Sequence, residues 1–265
     1  MTGLAAIVGA DLGRRVVRFD ARDAALYAIA VGAGQADLDL VWERRLRVLP
    51  AYACALGLWA VEAAGDLGAY DRARSLHAGQ ELVVHGELRP GTHELEGRVV
   101  AVWDKGRAAV VEIEARGESF DVSYTIFLPG LGGFGGERGP AREPDEQIVG
   151  AYVEAVPTRA EQALLYRLTG DLHPVHVDPE LAASMGFRRP ILHGLCTLGI
   201  AARVVAGAVG AHPADLRSLR ARLTGVVLPG DTLAVRGDGR PDGAVAFEAA
   251  VGETAALAGG RAVFD

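Results

Sequence analysis

The chain has 265 residues, half of them hydrophobic, and a net charge of −7. That length holds one large domain or two small ones around a sizeable core, and the acidic balance excludes a general nucleic-acid binder, whose affinity rests on basic surface. Lys105 is the only lysine, which leaves Schiff-base chemistry almost without a candidate.

The opening MTGLAAIVGADLGRR has no basic start and no long apolar run, so it does not read as a secretory leader. No stretch reaches the roughly 18 apolar residues of a membrane helix, and a soluble cytoplasmic protein is expected. Asp20 is placed to cap a helix whose Ala- and Leu-rich body runs toward Gly34. Arg44, Arg45 and Arg47 interrupt the apolar stretch before Pro50. Residues 51–65, AYACALGLWAVEAAG, are apolar nearly all round and predict one buried helix. From Glu81, strand and turn signals alternate: LVVHGEL, a turn at Pro90-Gly91, then Arg98 to Trp103. Residues 108–115 and 120–128 are β-rich, with Glu112 and Glu114 spaced for one face. Cys54 and Cys196 lie in apolar runs and are expected as buried core residues rather than a disulfide.

Residues 129–147, PGLGGFGGERGPAREPDEQ, read as loop and linker. Gly130, Gly132 and Gly135 satisfy G-x-G-x-x-G. A dinucleotide site needs an apolar helix directly after that motif, and Glu137-Arg138-Gly139-Pro140 does not begin one. The second half then repeats the first: Tyr27 aligns with Tyr166 and Pro50 with Pro190, at offsets of 139 and 140 residues. A near-constant offset predicts duplication of a fold unit, one over residues 1–128 and one over 148–265, with residues 220–235, 245–251 and 255–264 supplying strands of the second.

Residues 166–195 carry polar chemistry that the first half lacks: Asp171, His173, His176, Asp178 and His193, set among prolines and glycines. Pro174 prevents a regular helix, so Asp171 and His176, five residues apart, lie on a bent loop that can aim both side chains at one water. On residues alone the pair is either a water-activating acid–base couple or a buried structural Asp–His pair. Asp178-Pro179-Glu180 reads as a helix start capped by Asp178 and closed by Gly186. His193-Gly194 opens a second apolar helix, to residue 206, whose first N–H groups are unpaired. His193 either lines a site or packs. Asp171, His173, His176 and Asp178 are metal-ligand types, but no further Cys/His motif accompanies them and no metal is expected. Arg188 and Arg189 are either phosphate contacts or solvated charge.

This stretch resembles the signature of the hydratase 2 family, the MaoC-like (R)-specific enoyl-thioester hydratases. The match runs through Tyr166-Arg167-Leu168-x-Gly170-Asp171, Pro174-x-His176-x-Asp178-Pro179 and Gly186-Phe187-x-x-Pro190-Ile191-Leu192-His193-Gly194-Leu195. Pro229-Gly230-Asp231-Thr232-Leu233 matches as well, and the first half matches more weakly around Val41-Trp42-Glu43 and Leu49-Pro50. The resemblance implies an α+β double hotdog, two tandem units each with a curved antiparallel sheet around one apolar helix, here residues 51–65 and 193–206. It implies that Asp171 and His176 activate water and that the Gly194 N–H receives the thioester oxygen. Substrate contacts are expected from His173, His193, Arg188 and Arg189. His173 is a departure, since the family usually has asparagine there. The implied reaction is reversible hydration of a trans-2-enoyl-CoA to the (R)-3-hydroxyacyl-CoA, with the first unit making room for the acyl group. CoA or phosphopantetheine carries the substrate, no further cofactor is implied, and a homodimer is left open. Alternatives are a dehydratase of carrier-bound 3-hydroxyacyl chains, a hotdog thioesterase and a non-catalytic acyl-binding subunit. The intact Asp171/His176 pair disfavours the thioesterase, and joint retention of Gly170-Asp171, His176 and Gly194 disfavours the binding subunit.

Overall fold

The computed structural model describes residues 3–142, 144–150 and 152–265. The first half opens with strand β1 (Asp11–Phe19) and helix α1 (Ala21–Ala30). Asp20 caps α1 as its position predicts. Its carboxylate accepts from the Asp23 N–H at 3.0 Å, and the Asp23 carboxylate accepts from the Asp20 N–H at 3.0 Å. The chain turns away at Gly32, whose φ of +92° suits glycine, and a short helix α2 (Leu38–Val41) follows.

The apolar stretch 51–65 is not one helix, contrary to its composition. It forms a 3-10 turn, then α3 (Ala53–Leu56) and α4 (Trp59–Asp66), parted at Gly57-Leu58. At the break the backbone presses on the sheet: a Cβ on Gly57 would stand 2.4 Å from Val122 Cγ2 and 2.7 Å from the Tyr124 hydroxyl. Nor is the stretch buried on all faces, since Leu56, Leu58 and Val61 are partly exposed and Glu62 is exposed. Four strands complete this half: β2 (Leu76–Val84), β3 (Gly91–Asp104), β4 (Ala108–Gly117) and β5 (Phe120–Pro129). In β4 and β5 the alternation is kept. Val111, Ile113, Val122, Tyr124 and Ile126 are buried on the inner face, while Glu112 on the outer face accepts from Trp103 Nε1 at 2.9 Å.

The second half has strand β6 (Tyr152–Pro157), helices α5 (Gln162–Tyr166), α6 (Pro179–Ser184) and α7 (Gly194–Val205), then β7 (Leu216–Leu223), β8 (Thr232–Gly239), β9 (Ala244–Val251) and β10 (Thr254–Phe264). All ten strands join one antiparallel sheet in the order β1-β3-β4-β5-β2-β7-β10-β9-β8-β6. From the centre outward the halves read 2-5-4-3-1 and 7-10-9-8-6, so each strand has its counterpart five places on. The halves meet where β2 pairs with β7, Gln80 opposite Ala221 and Glu81 opposite Arg220. The first half curls round α3 and α4, the second round α7. This is the double hotdog. The end strands β1 and β6 were not anticipated. β1 carries Asp11, Arg14, Arg15 and Arg18, a charge load that suits a sheet edge and hides its alternation.

The glycine loop after β5 does cradle an anion, one that the chain itself supplies. The N–H groups of Gly133 and Gly135 donate to the Asp104 carboxylate at 2.8 and 2.9 Å, joined by Gly106 at 2.8 Å. These donors, Gly133 foremost, hold the Asp104 carboxyl below the usual carboxylate range. Beyond it the linker is strapped to the second half: Asp145 to Arg222, and Glu146 to Arg240 and Arg261. Cys54 and Cys196 are free and buried, and burial pushes the Cys54 thiol up to about 12. Among the described residues no helix is long and apolar enough to cross a membrane.

Candidate active site

The polar stretch is shaped by its own turns. Buried Tyr166 ends α5 and a 3-10 turn follows, tied by the Thr169 hydroxyl donating to the Tyr166 carbonyl at 2.8 Å. Gly170 then takes φ +132°, a backbone state that side chains resist, and swings the chain out to Asp171. The Asp171 carboxylate accepts the His173 N–H at 3.2 Å. Pro174 opens a second 3-10 turn, Pro174–His176, which His173 caps by accepting the Val175 N–H on Nδ1 at 3.2 Å. Asp178 is the N-cap of α6, accepting from Glu180 and Leu181 at 2.8 and 3.2 Å. Gly186, φ +85°, closes α6.

His193 is the N-cap residue of α7 and no side chain caps that helix. The first intrahelical partner for the His193 carbonyl is the Thr197 N–H, at 3.1 Å. The N–H groups of Gly194 and the two residues after it therefore have no partner within α7, and the positive end of the helix dipole lies there.

Three of the singled-out side chains meet here. The ligand-type atoms of Asp171, His176 and His193 all lie within 4.8 Å of one another. The His176 and His193 rings stack at 3.6 Å with 22° between planes, and Tyr166 sits 4.8 Å from His193 on the side away from solvent. His176 Nδ1 lies 2.9 Å from the Ile191 carbonyl. A carbonyl only accepts, so Nδ1 carries the hydrogen and Nε2 is left as a lone pair. His193 Nε2 likewise donates to the Asp171 backbone carbonyl at 3.2 Å. His193 is fully buried, and its role in the fold is to anchor the Asp171 main chain from below. Burial holds His176 below the ordinary histidine range against the opposing pull of the Asp171 charge. Burial, then His176 beside it, pushes His193 down to about 3. Both imidazoles are neutral at neutral pH.

His173 is exposed, with its ring edge-on to His176 at 6.1 Å. Asp178 is spent on its cap. The three ligand-type residues that come together are thus Asp171, His176 and His193, not Asp171, His173, His176 and Asp178, the rival set weighed from the sequence; two of the four imidazole nitrogens already donate to carbonyls. Arg188 and Arg189 are exposed in the turn before Pro190 and make no ion pair among the described residues.

The first half also reaches the site, which no motif signalled. A Cβ on Gly170 would lie 3.8 Å from the Ala55 carbonyl of α3, and the Tyr124 hydroxyl donates to the neighbouring Cys54 carbonyl at 2.7 Å. Beside Gly170 an open cleft of about 320 Å³ runs over the broken helix, floored by Tyr52, Leu56, Leu58 and Trp59, with Arg15 at its edge. Another hollow, of about 240 Å³, lies between the linker and the centre of the sheet near Arg220 and Asp145, away from the motif.

Residues 144–254 match the MaoC like domain, and residues 17–127 match the MFE-2 hydratase 2 N-terminal domain. The chain is 39% identical to 3-hydroxyacyl-thioester dehydratase Y of Mycobacterium tuberculosis, over 85% of this chain and 84% of that protein. It is 35% identical to the peroxisomal enoyl-CoA hydratase 2 of Arabidopsis thaliana, over 81% of this chain and 80% of that one. A crystal structure of a MaoC-like dehydratase from Phytophthora capsici superposes with a TM-score of 0.86 at 26% identity, covering all of this chain and 98% of its own. Sequence and topology agree: the chain belongs to the MaoC-like hydratase 2 family.

Proposed function

We propose that the chain is a hydro-lyase that reversibly adds water to a trans-2-enoyl-CoA and yields the (R)-3-hydroxyacyl-CoA, with Asp171 and His176 as the groups that activate the water. The observation that carries this reading is the approach of the Asp171 carboxylate and the His176 imidazole within 4.8 Å. Two hydrogen bonds from one water, at its tetrahedral angle, span about 4.5 Å, so one water fits between the Asp171 carboxylate and the His176 ring; we assign its acceptor on His176 to Nε2, because Nδ1 already donates to the Ile191 carbonyl. As its oxygen attacks the β-carbon, the proton on the His176 side moves to Nε2. Negative charge collects on the thioester oxygen, and the Gly194 N–H, fixed at the start of a helix of 12 residues, is oriented to receive it without reorganisation. The imidazolium then returns its proton to the α-carbon, so one water is added and the side chains are restored.

The cleft over α3 and α4 receives the acyl chain. His173 stands at the exposed side of the acid–histidine pair, His193 supports it from within, and Arg188 and Arg189 meet the phosphates of the carrier. The test is turnover of a panel of trans-2-enoyl-CoA esters of increasing bulk, with the configuration of the 3-hydroxy product resolved by chiral separation. Hydration to the 3R product is expected. Release of free CoA thiol in place of hydration would make the protein a thioesterase, and binding without turnover of any ester would make it an acyl-binding subunit.

A further inference from the structure

The cleft beside Gly170 offers more than apolar surface. Leu56, Leu58 and Trp59 lie in its floor, and Arg15 and Arg18 of strand β1 stand on its rim. β1 is an end strand with β3 on one side only, and its arginines divide by face. Arg14 is in ion pairs with Glu94 and Glu96 of β3. Arg15, the next residue, points the other way and stands over the Trp59 ring, its Cζ 6.0 Å from the centroid. The side chains of Arg15 and Arg18 are exposed and make no hydrogen bond or ion pair among the described residues. Guarding a sheet edge accounts for their charge but not for their place over a cleft. The acids of the lining pair with neither: the Asp23 carboxylate accepts the Asp20 N–H in the α1 box, and Glu62 is in no ion pair among the described residues.

The floor holds a third donor. Trp59 is 8% exposed, and its Nε1 is buried without a hydrogen-bond partner. The far end of the ring is wedged under β3, where a Cβ on Gly97 would stand 2.7 Å from Cη2, so the indole has little freedom to seek an acceptor elsewhere. A plain hydrocarbon chain would leave all three donors as they are, and an open cleft would leave part of that chain in water. A chain that ends in an anionic oxygen group answers both.

We propose that this cleft selects enoyl thioesters whose acyl chain carries a carboxylate at its far end. The thioester end reaches past Gly170 to Asp171, the chain crosses Leu56 and Leu58, and the carboxylate meets Arg15 and Arg18. Arg15, drawn from over the indole toward that carboxylate, opens the way for an oxygen to accept the Trp59 N–H. Arg15 and Arg18 are specificity-determining residues supplied by the first half, with no part in the chemistry.

This selection rests on the hydratase reading and on the cleft as the place of the acyl chain, and the two fail separately. Hydration kinetics are measured on crotonyl-CoA and on two longer trans-2-enoyl-CoA esters of matched length, one ending in a methyl group and one in a carboxylate. The unsubstituted protein is compared with Arg15→Gln, Arg18→Gln, the double variant and Arg15→Lys, and the melting temperature of each is recorded. We expect kcat/KM for the carboxylate ester to exceed that for the methyl ester about tenfold. Each Gln variant should lower that ratio about threefold, the size of one exposed ion pair, the double variant should abolish it, and Arg15→Lys should keep most of it. Added salt should shrink the ratio of the unsubstituted protein and leave that of the double variant alone. If the two long esters turn over alike, or the double variant keeps the ratio, the cleft does not select for charge and the proposal is wrong, while hydration of crotonyl-CoA leaves the centre standing. If the Gln variants raise KM equally for all three esters, the arginines meet the carrier and the proposal is wrong as well. A lower melting temperature with an unchanged ratio makes them guards of the sheet edge only. Hydration of none of the three esters removes the hydratase reading, and this selection with it.

Discussion

Two neutral imidazoles stacked face to face make the centre sensitive to acid. His193 and His77 hold protons only near about 3 and about 4, while in the unfolded chain they take them up near 6.5. Between those limits the unfolded state binds more protons, so stability is level above about 6.5 and is lost as the pH falls below it. Melting temperatures from pH 8 to pH 4 should be flat and then drop. His193→Phe, which keeps a ring in the stack, should flatten the acid limb, and an unaltered limb would remove His193 as its source. Chemistry is tested separately. Asp171→Asn and His176→Gln should each lower kcat by at least about 10²-fold, as expected for lost acid–base groups, without moving the melting temperature at neutral pH. Normal hydration by either variant would take that residue out of the mechanism. These residues were legible because they are neighbours in sequence, set on one loop whose bends are written in Gly170 and Pro174. The support given by His193 was not, since it depends on a ring lying over His176 and on a bond to a backbone carbonyl 22 residues away.

At the scale of elements, the break between α3 and α4 decides what the first half can offer. Gly57 is held against Val122 and Tyr124, with no room for a methyl group. Gly57→Ala should cost about 1–3 kcal/mol through overpacking. Because it pushes on Tyr124, it should also change selectivity among long and short acyl chains more than it changes turnover of the shortest. A fully stable Gly57→Ala variant with unchanged chain-length preference would separate the break from the cleft. Composition alone predicted a single buried helix here, because fifteen residues, apolar but for Glu62, carry no sign of a strand pressing from more than sixty positions away. The same holds for His77: its face is set by a bulge against β5, which a linear pattern of alternation cannot register. Elements framed by their own signals, such as α1 with its Asp20 box and α7 behind His193, match the expectation closely.

For the whole molecule, the seam between β2 and β7 is the place to test. Each half has a full set of five strands, and the seam strand is the one whose outer edge the other half covers. Residues 144–265 expressed alone would leave β7 with unpaired N–H and C=O groups along that edge. They should elute as a dimer joined through β7; a stable monomer would show that the seam is not needed to satisfy it. The matching order of strands also explains why one chain serves where a pair of identical chains would be limited. In a two-fold assembly of a single repeated unit every substitution is made twice, so a loop that gains an acid and two histidines gains them on both sides, and a helix that breaks does so in both. Covalent fusion removes that constraint. Here one copy keeps an unbroken helix that starts beside Asp171 and His176, while the other has let its helix part at Gly57 and opened a cleft beside Gly170. On the function proposed above, a reacting half and a receiving half follow from symmetry that is kept in the backbone and free to lapse in the side chains.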